Sequence, residues 1–189
     1  DWSSDVCSYD LAIGPLTNVA SLFMTDPDVP RLLKRLVLMG GAFFAGGQTL
    51  RPLGEWNLRC DPKAAEIVYT TPVSIHRSVG LDVTGQVTMN QSQLRECFTS
   101  PLLRVVEDFS GVWFAERDIT AFHDPLAAAT LFDPDICRFI RGEVSIQREI
   151  TSIRTVFSPD PAGAIEVAEQ VDCSRFFAHF LSVTGGKQA

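Results

Sequence analysis

The sequence of 189 residues lacks the features that mark several classes of protein. It has no run of about 18 apolar residues, which a membrane-spanning helix needs, and no signal-peptide pattern at its start. Its five cysteines are odd in number and widely spaced, which argues against a disulfide framework and C-x-x-C zinc sites. Its 16 Lys and Arg residues are scattered and outnumbered by 23 Asp and Glu, so no basic stripe is available for nucleic acid. We therefore expect a cytoplasmic protein with reduced thiols and no nucleic-acid or membrane partner.

Several catalytic signatures are also missing. The chain contains neither G-x-G-x-x-G nor a G-K-[ST] phosphate loop, and it contains no G-x-S-x-G and no H-E-x-x-H. What remains is a chain with 46% hydrophobic residues, enough to bury one substantial core.

The first ten residues differ from the rest. They contain no initiator Met and no apolar periodicity, and they resemble a translated sequencing adapter. We expect residues 1–10 to be a non-native segment and residues 11–189 to be part of one domain.

The order of the remaining segments predicts a parallel sheet with crossover helices. Short apolar runs at 11–13, 35–39 and 73–76 are typical of buried strands, and residues 138–171 are strand-rich. Helices are predicted after Gly14-Pro15, at the Asp-Pro pairs 61–62 and 124–125, along 102–113, and before Gly185-Gly186. The glycine-rich stretch 42–60 is predicted to be a loop.

Two pairs of polar residues could perform chemistry. A carboxylate and an amide at Glu55 and Asn57 match the donors and acceptors of a ribose diol, although, taken alone, the pair is more simply explained by a solvated loop. His123 and Asp124 could supply a proton donor and a hard oxygen ligand for calcium. They could instead be a buried histidine and a helix N-cap. Gly40-Gly41 after a strand indicates close approach of backbone, either to a packed neighbour or to a ligand.

Four segments in order carry a resemblance to a known family. They are Gly14-Pro15-Leu16-Thr17-Asn18, Met39-Gly40-Gly41, Gly54-Glu55-Trp56-Asn57-Leu58-Arg59-Cys60-Asp61-Pro62-Lys63-Ala64-Ala65, and His123-Asp124-Pro125-Leu126-Ala127. Together they resemble the inosine-uridine nucleoside hydrolases, and Gly80-Leu81-Asp82-Val83-Thr84 resembles a further segment of that family. The similarity runs from about Leu11 to near Val183.

The resemblance implies a doubly wound α/β fold, with a mostly parallel sheet between helices, and hydrolysis of nucleosides to ribose and free base. It implies a Ca²⁺ cofactor held by Asp124 and by the backbone carbonyl of Ile13. Ribose hydroxyls would be held by Glu55 and Asn57, with Met39 lining the sugar pocket. It also implies a nucleoside salvage role and a homo-oligomer in the full-length form.

His123 would lie near the leaving base and act on it as an acid or a hydrogen-bond donor. Trp113 and Phe114 are candidates for stacking on that base by position alone, with core packing as the alternative. Gln48 is a candidate to replace an asparagine that the family often has before its ribose loop.

One departure from the family pattern is large. The family's D-x-D-x-x-x-D-D motif, which supplies the general base and most metal ligands, is absent from these 189 residues. We expect an N-terminally truncated fold that is inactive alone. The alternatives are a non-catalytic ribose- or ligand-binding homologue and a hydrolase of another N-riboside.

Overall fold

The computed structural model describes residues 9–187, apart from the side chains of Tyr9, Thr49 and Leu50. The strands are β1 (Tyr9–Ala12), β2 (Arg35–Met39), β3 (His76–Val79), β4 (Thr88–Asn90), β5 (Ile119–Ala121), β6 (Cys137–Arg148), β7 (Ile153–Pro159) and β8 (Ile165–Val171). The helices are α1 (Thr17–Thr25), α2 (Val29–Leu32), α3 (Ala45–Leu50), α4 (Trp56–Cys60), α5 (Pro62–Thr70), α6 (Leu81–Thr84), α7 (Gln91–Cys97), α8 (Pro101–Phe114), α9 (His123–Phe132) and α10 (Cys173–Thr184). A 3-10 turn at Pro134–Ile136 precedes β6.

Six strands form one mixed sheet in the order β1-β2-β3-β8-β6-β7. The first four pair in parallel, whereas β6 runs antiparallel to both β8 and β7. Strands β4 and β5 form a separate antiparallel pair. The predicted α/β class with a mostly parallel central sheet is confirmed.

Helices cover both faces of this sheet. Successive residues of β2 point to opposite faces, so Val37 and Met39 join one hydrophobic cluster and Leu36 and Leu38 join another. The first cluster includes residues of α9 and α10, and the second includes residues of α1 and α5. A strand buried on both faces has a continuous apolar sequence, which is why β2 was predictable.

Helix starts agree with the sequence at one Asp-Pro pair and differ at the other. The Asp61 side chain accepts a hydrogen bond from the Ala64 N–H at 3.0 Å and caps α5 as predicted. By contrast, α9 begins at His123, with Phe122 as its N-cap residue, and Asp124 lies within the first turn. The Asp124 carboxylate is therefore not used as a cap.

The prediction of a loop over residues 42–60 is wrong, because α3 and α4 form there. Helix α3 begins where the Asp82 carboxylate accepts hydrogen bonds from the N–H groups of Phe43, Phe44 and Gly47 at 2.8–3.0 Å. Asp82 is distant in sequence, so local composition could not reveal this anchor.

Two strands lie at slightly different positions from those predicted. The strand expected at 73–76 is β3, whose pairing with β2 joins Leu36 to His76 and Met39 to Val79. The strand expected at 11–13 is β1, which ends at Ala12. Residues 1–8 of the expected non-native segment lie outside the described residues.

The apolar face of α8 is largely exposed. Leu103 is buried, but Phe109 is 77% exposed, and Leu102, Val105 and Val106 are also exposed. The cysteines among the described residues are free thiols, and Cys97 and Cys137 are buried.

Candidate functional site

A cavity of about 310 Å³ lies where β1 and β2 end. Ile13 directly follows β1 and Met39 ends β2, so the parallel pairing of these strands places both residues at one edge of the sheet. Six of the nine predicted site residues line the cavity. They are Ile13, Met39, Glu55, Asn57, His123 and Asp124.

Glu55 is a buried carboxylate, only 4% exposed, that caps α4. One oxygen, Oε1, accepts a hydrogen bond from the Asn57 N–H at 2.8 Å. The other, Oε2, accepts from the Leu58 N–H at 3.1 Å and the Gly41 N–H at 3.3 Å. Burial raises the pKa of Glu55 despite these donors, because the loss of water outweighs them. A carboxylate has about four acceptor positions, so these bonds leave room for a ligand hydroxyl.

Asn57 is fixed against the end of β2. Its Nδ2 donates to the Met39 carbonyl at 3.0 Å and lies 3.6 Å from the Met39 sulfur. The amide oxygen Oδ1 has no hydrogen-bond partner among the described residues. One acceptor and one further N–H of this amide can therefore bind a hydroxyl group.

His123 is held by a residue to which the sequence assigned no role. Its Nδ1 lies 2.7 Å from the hydroxyl Oγ1 of Thr84, a fully buried side chain in α6. Burial lowers the pKa of His123, and the charge of Arg51 lowers it further while Asp124 acts in the opposite direction. The imidazole is thus favoured in its neutral form, and its Nε2 forms no hydrogen bond among the described residues. The signal for Thr84 was the Gly80–Thr84 segment that the sequence had already singled out.

Asp124 is half-buried and has no hydrogen-bond or ion-pair partner in the part of the chain that the structure describes. Burial raises its pKa, while the neighbouring His123 lowers it. An unpaired carboxylate and a backbone carbonyl at Ile13 are oxygen donors of the kind that a hard cation takes. They are two of the six to eight that calcium requires. Across residues 9–187, no three His, Cys, Asp or Glu side chains converge on a metal position.

Three predicted residues do not line this cavity. Gln48 lines a neighbouring cavity of about 410 Å³. Trp113 lines a larger apolar cavity of about 610 Å³, and its Nε1 donates to the Ile119 carbonyl at 2.8 Å. Phe114 packs against a hydrophobic core cluster.

Five residues that the sequence did not single out as site residues also line the candidate site, namely Arg51, Trp56, Leu81, Ala121 and Pro125. Trp56 is 61% exposed, and the guanidinium of Arg59 lies 5.1 Å from its ring centroid. Arg51 lies beside the same cavity. Trp56 lies within a segment that carries the family resemblance, whereas Arg51 carried no sequence signal beyond its nearness to Glu55.

Comparison with known proteins gives a consistent result. A family model described as inosine-uridine preferring nucleoside hydrolase matches residues 9–178. A probable uridine nucleosidase 1 of Oryza sativa subsp. japonica is 35% identical over 147 residues, which cover 74% of this chain and 45% of the relative. An inosine-uridine preferring nucleoside hydrolase of Leishmania major is 32% identical over 177 residues, 87% of this chain and 55% of the relative.

Solved structures agree with the sequence matches. A plant nucleoside hydrolase has a TM-score of 0.81 at 26% identity, with 92% of this chain and 60% of that one covered. A purine-preferring ribonucleoside hydrolase from Gardnerella vaginalis has a TM-score of 0.78 at 25% identity, with 94% of this chain and 60% of that one covered.

The chain spans about half the length of the curated relatives that it matches. No helix within residues 9–187 combines the length and apolar character that crossing a membrane requires. The match over residues 9–178 shows that the chain belongs to the inosine-uridine preferring nucleoside hydrolase family.

Proposed function

We propose that the protein to which this chain belongs hydrolyses the N-glycosidic bond of ribonucleosides, releasing ribose and free base. The observation that carries the proposal is that Glu55, Asn57 and His123 line one cavity in a member of this family. The names of the relatives, a uridine nucleosidase and an inosine-uridine preferring hydrolase, support the same substrate class.

Ribose hydroxyls would bind Glu55 and Asn57. Both side chains are already fixed by backbone hydrogen bonds, so little conformational entropy is lost when a ligand binds. A diol both donates and accepts, which suits a carboxylate beside an amide with one free oxygen. Met39 would pack against the sugar.

His123 would serve the departing base. We assign the Thr84 hydroxyl as the donor to Nδ1, 2.7 Å away, which places the proton of the neutral ring on Nε2, from where it can be donated toward the base. The lowered pKa makes a hydrogen-bond donor the better-supported role, because little imidazolium is present at neutral pH.

A calcium ion is part of the proposal, with Asp124 and the Ile13 carbonyl as two of its ligands. When bound, such an ion orients a water molecule and lowers its pKa. The described residues offer oxygen donors, which is the type of ligand that calcium takes. Two donors are too few to hold the ion alone. We therefore propose that these 189 residues form the ribose-holding and leaving-base side of the site.

We propose a cytoplasmic protein of nucleoside salvage that forms a homo-oligomer. The scattered basic residues and unpaired thiols support the location, and the family resemblance supports the rest.

The second candidate is a protein that binds a ribosyl ligand without turnover. It is favoured because, among the described residues that line the cavity, Asp124 is the one carboxylate without a hydrogen-bond or ion-pair partner. A hydrolase of another N-riboside is the third candidate, and a substrate panel separates it from the first.

Ribose binding to the 189-residue chain tests the proposal. We expect ribose to bind more tightly than 2-deoxyribose, because the diol is the recognised group. Asn57→Ala should weaken ribose binding roughly 10-fold, the size of one or two lost hydrogen bonds. Asn18→Ala on the exposed face of α1 is the matched control. Titration followed by NMR that shows no ribose binding, or equal binding by both variants, would contradict the proposal.

Turnover is tested separately. We expect no ribose release from inosine or uridine by this chain with calcium, because the described residues offer two metal ligands. In an active protein that contains the chain, His123→Ala should lower kcat roughly 100-fold for poor leaving bases. An equal loss on an activated nitrophenyl riboside would argue against a role at the leaving base.

A further inference from the structure

A second cavity adjoins the candidate site. It has a volume of about 410 Å³, and both cavities are lined by Arg51. Its wall is formed by the segment after β2, by Arg51 and Pro52, and by Ile153–Thr155 in β7. A ligand in the candidate site therefore lies beside this second space. We call it the arginine cavity.

Two arginines line the arginine cavity without a carboxylate partner. Arg51 and Arg154 form no ion pair among the described residues, and both side chains are exposed. Seven other arginines do pair with Asp or Glu, namely Arg31, Arg77, Arg95, Arg138, Arg141, Arg148 and Arg175. In a chain of net charge -7, two unpaired guanidinium groups at one cavity form a local positive site. Guanidinium groups bind phosphate and carboxylate with two parallel hydrogen bonds.

The frame around these arginines is fixed. Thr155, next to Arg154, accepts from the Ala42 N–H at 2.9 Å and donates to the Ala42 carbonyl at 2.6 Å. Strand β7 is thereby joined to the segment after β2. At the start of α3, the Asp82 carboxylate accepts hydrogen bonds from three backbone N–H groups. Because the backbone around the cavity is already held by these hydrogen bonds, binding of an oxyanion would cost little ordering of the chain.

We propose that the arginine cavity binds an oxyanion carried by the riboside in the neighbouring site, so that the substrate class is an anionic riboside. This inference rests on the proposed function and adds a substrate group to it. A phosphate on the ribose and a carboxylate on the base both have the required chemistry. Gln48 and Thr155 add polar groups to the same wall.

Binding of paired ligands to the 189-residue chain tests the inference. Calorimetric titration compares ribose 5-phosphate with ribose, and orotidine with uridine, at low and high salt. We expect one anionic ligand of the two pairs to bind at least roughly 10-fold more tightly than its neutral counterpart at low salt, with the advantage reduced by salt. The pair that shows the advantage identifies the source of the oxyanion.

Three variants locate the effect. Arg51→Ala and Arg154→Ala should each remove most of the advantage of the anionic ligand. Arg154→Ala, which does not line the candidate site, should leave binding of the neutral ligand within about 2-fold, as surface changes of this kind do. Arg31→Ala is the charge-matched control, because Arg31 and its partner Asp28 are both 81% exposed on α2. An equal effect of Arg31→Ala would show a general charge effect and overturn the inference.

Failure of the inference is distinct from failure of the proposed function. If ribose and uridine bind but neither anionic ligand is favoured, the arginine cavity is not an oxyanion site and the proposed function stands. If ribose and uridine do not bind, the proposed function fails. Inorganic phosphate, titrated alone against the three variants, then decides whether Arg51 and Arg154 bind an anion.

Discussion

His76 should make the stability of this fold depend on pH. The side chain is 2% exposed at the start of β3, and its ring stacks on Tyr69 with centroids 5.1 Å apart. Its Nε2 is buried with no hydrogen-bond partner among the described residues. Because nothing compensates a positive charge there, burial lowers the pKa of His76 to about 4.

The size of the effect follows from the two pKa values. A histidine whose folded-state pKa is below its unfolded value binds fewer protons when folded, so its contribution to stability is complete above 6.5 and is lost as pH falls toward 4. At about 1.4 kcal/mol for each pH unit, the loss is about 2 kcal/mol by pH 5 and about 3 kcal/mol by pH 4. Domains of this kind are stable by about 5–15 kcal/mol, so the loss is measurable.

The assay is urea denaturation between pH 7 and 4 of the unsubstituted chain and of His76→Phe, which keeps a ring against Tyr69 without the titrating group. Other groups titrate in the same pH range. The lowered pKa of His123 also makes the fold less stable in acid, whereas the raised pKa values of Glu55 and Asp124 make it more stable there. The difference between the two proteins removes their effects. If His76→Phe loses stability with acid as steeply as the unsubstituted chain, the reasoning is refuted.

Two further substitutions test contacts beside the candidate site. Asp82→Ala removes the acceptor of three backbone N–H groups and should lower the free energy of unfolding by roughly 2 to 3 kcal/mol, since part of each bond is replaced by water; urea curves that match the unsubstituted chain would contradict it. Thr84→Val should raise the fraction of His123 with its proton on Nδ1, because the hydroxyl 2.7 Å away is lost. Nitrogen-15 NMR of the imidazole measures this fraction, and an unchanged tautomer would contradict the assignment.

The parts of the fold that the sequence predicted depend on local pattern. The continuous apolar run of β2 requires helices on both faces, and the Asp61-Pro62 pair carries its own N-cap. The ordered motifs then identified the family, which the match over residues 9–178 confirms.

The parts that were missed depend on contacts distant in sequence. Helix α3 is anchored by Asp82, 35 residues beyond Gly47, and β3 takes its position from pairing with β2. The sequence did not indicate Arg51 as a binding residue, because its proposed role depends on a second arginine, Arg154, which lines the same cavity from β7. Arg154 is about a hundred residues away in sequence, so the local composition around residue 51 could not indicate this pairing of arginines.

The candidate site and the fold share the same hydrogen bonds. Glu55 joins α4 to the segment after β2 through the Gly41 N–H, and Asn57 joins it to the Met39 carbonyl. The polar groups that would hold ribose are therefore in place before a ligand arrives, and their remaining acceptors are the ones a hydroxyl can use. Since these side chains are positioned this way only in the folded chain, ribose should bind the folded state alone and stabilise it by RT ln(1 + [L]/Kd). The hydrogen bonds that fix α4 against the end of β2 thus also link ribose binding to the stability of this part of the fold.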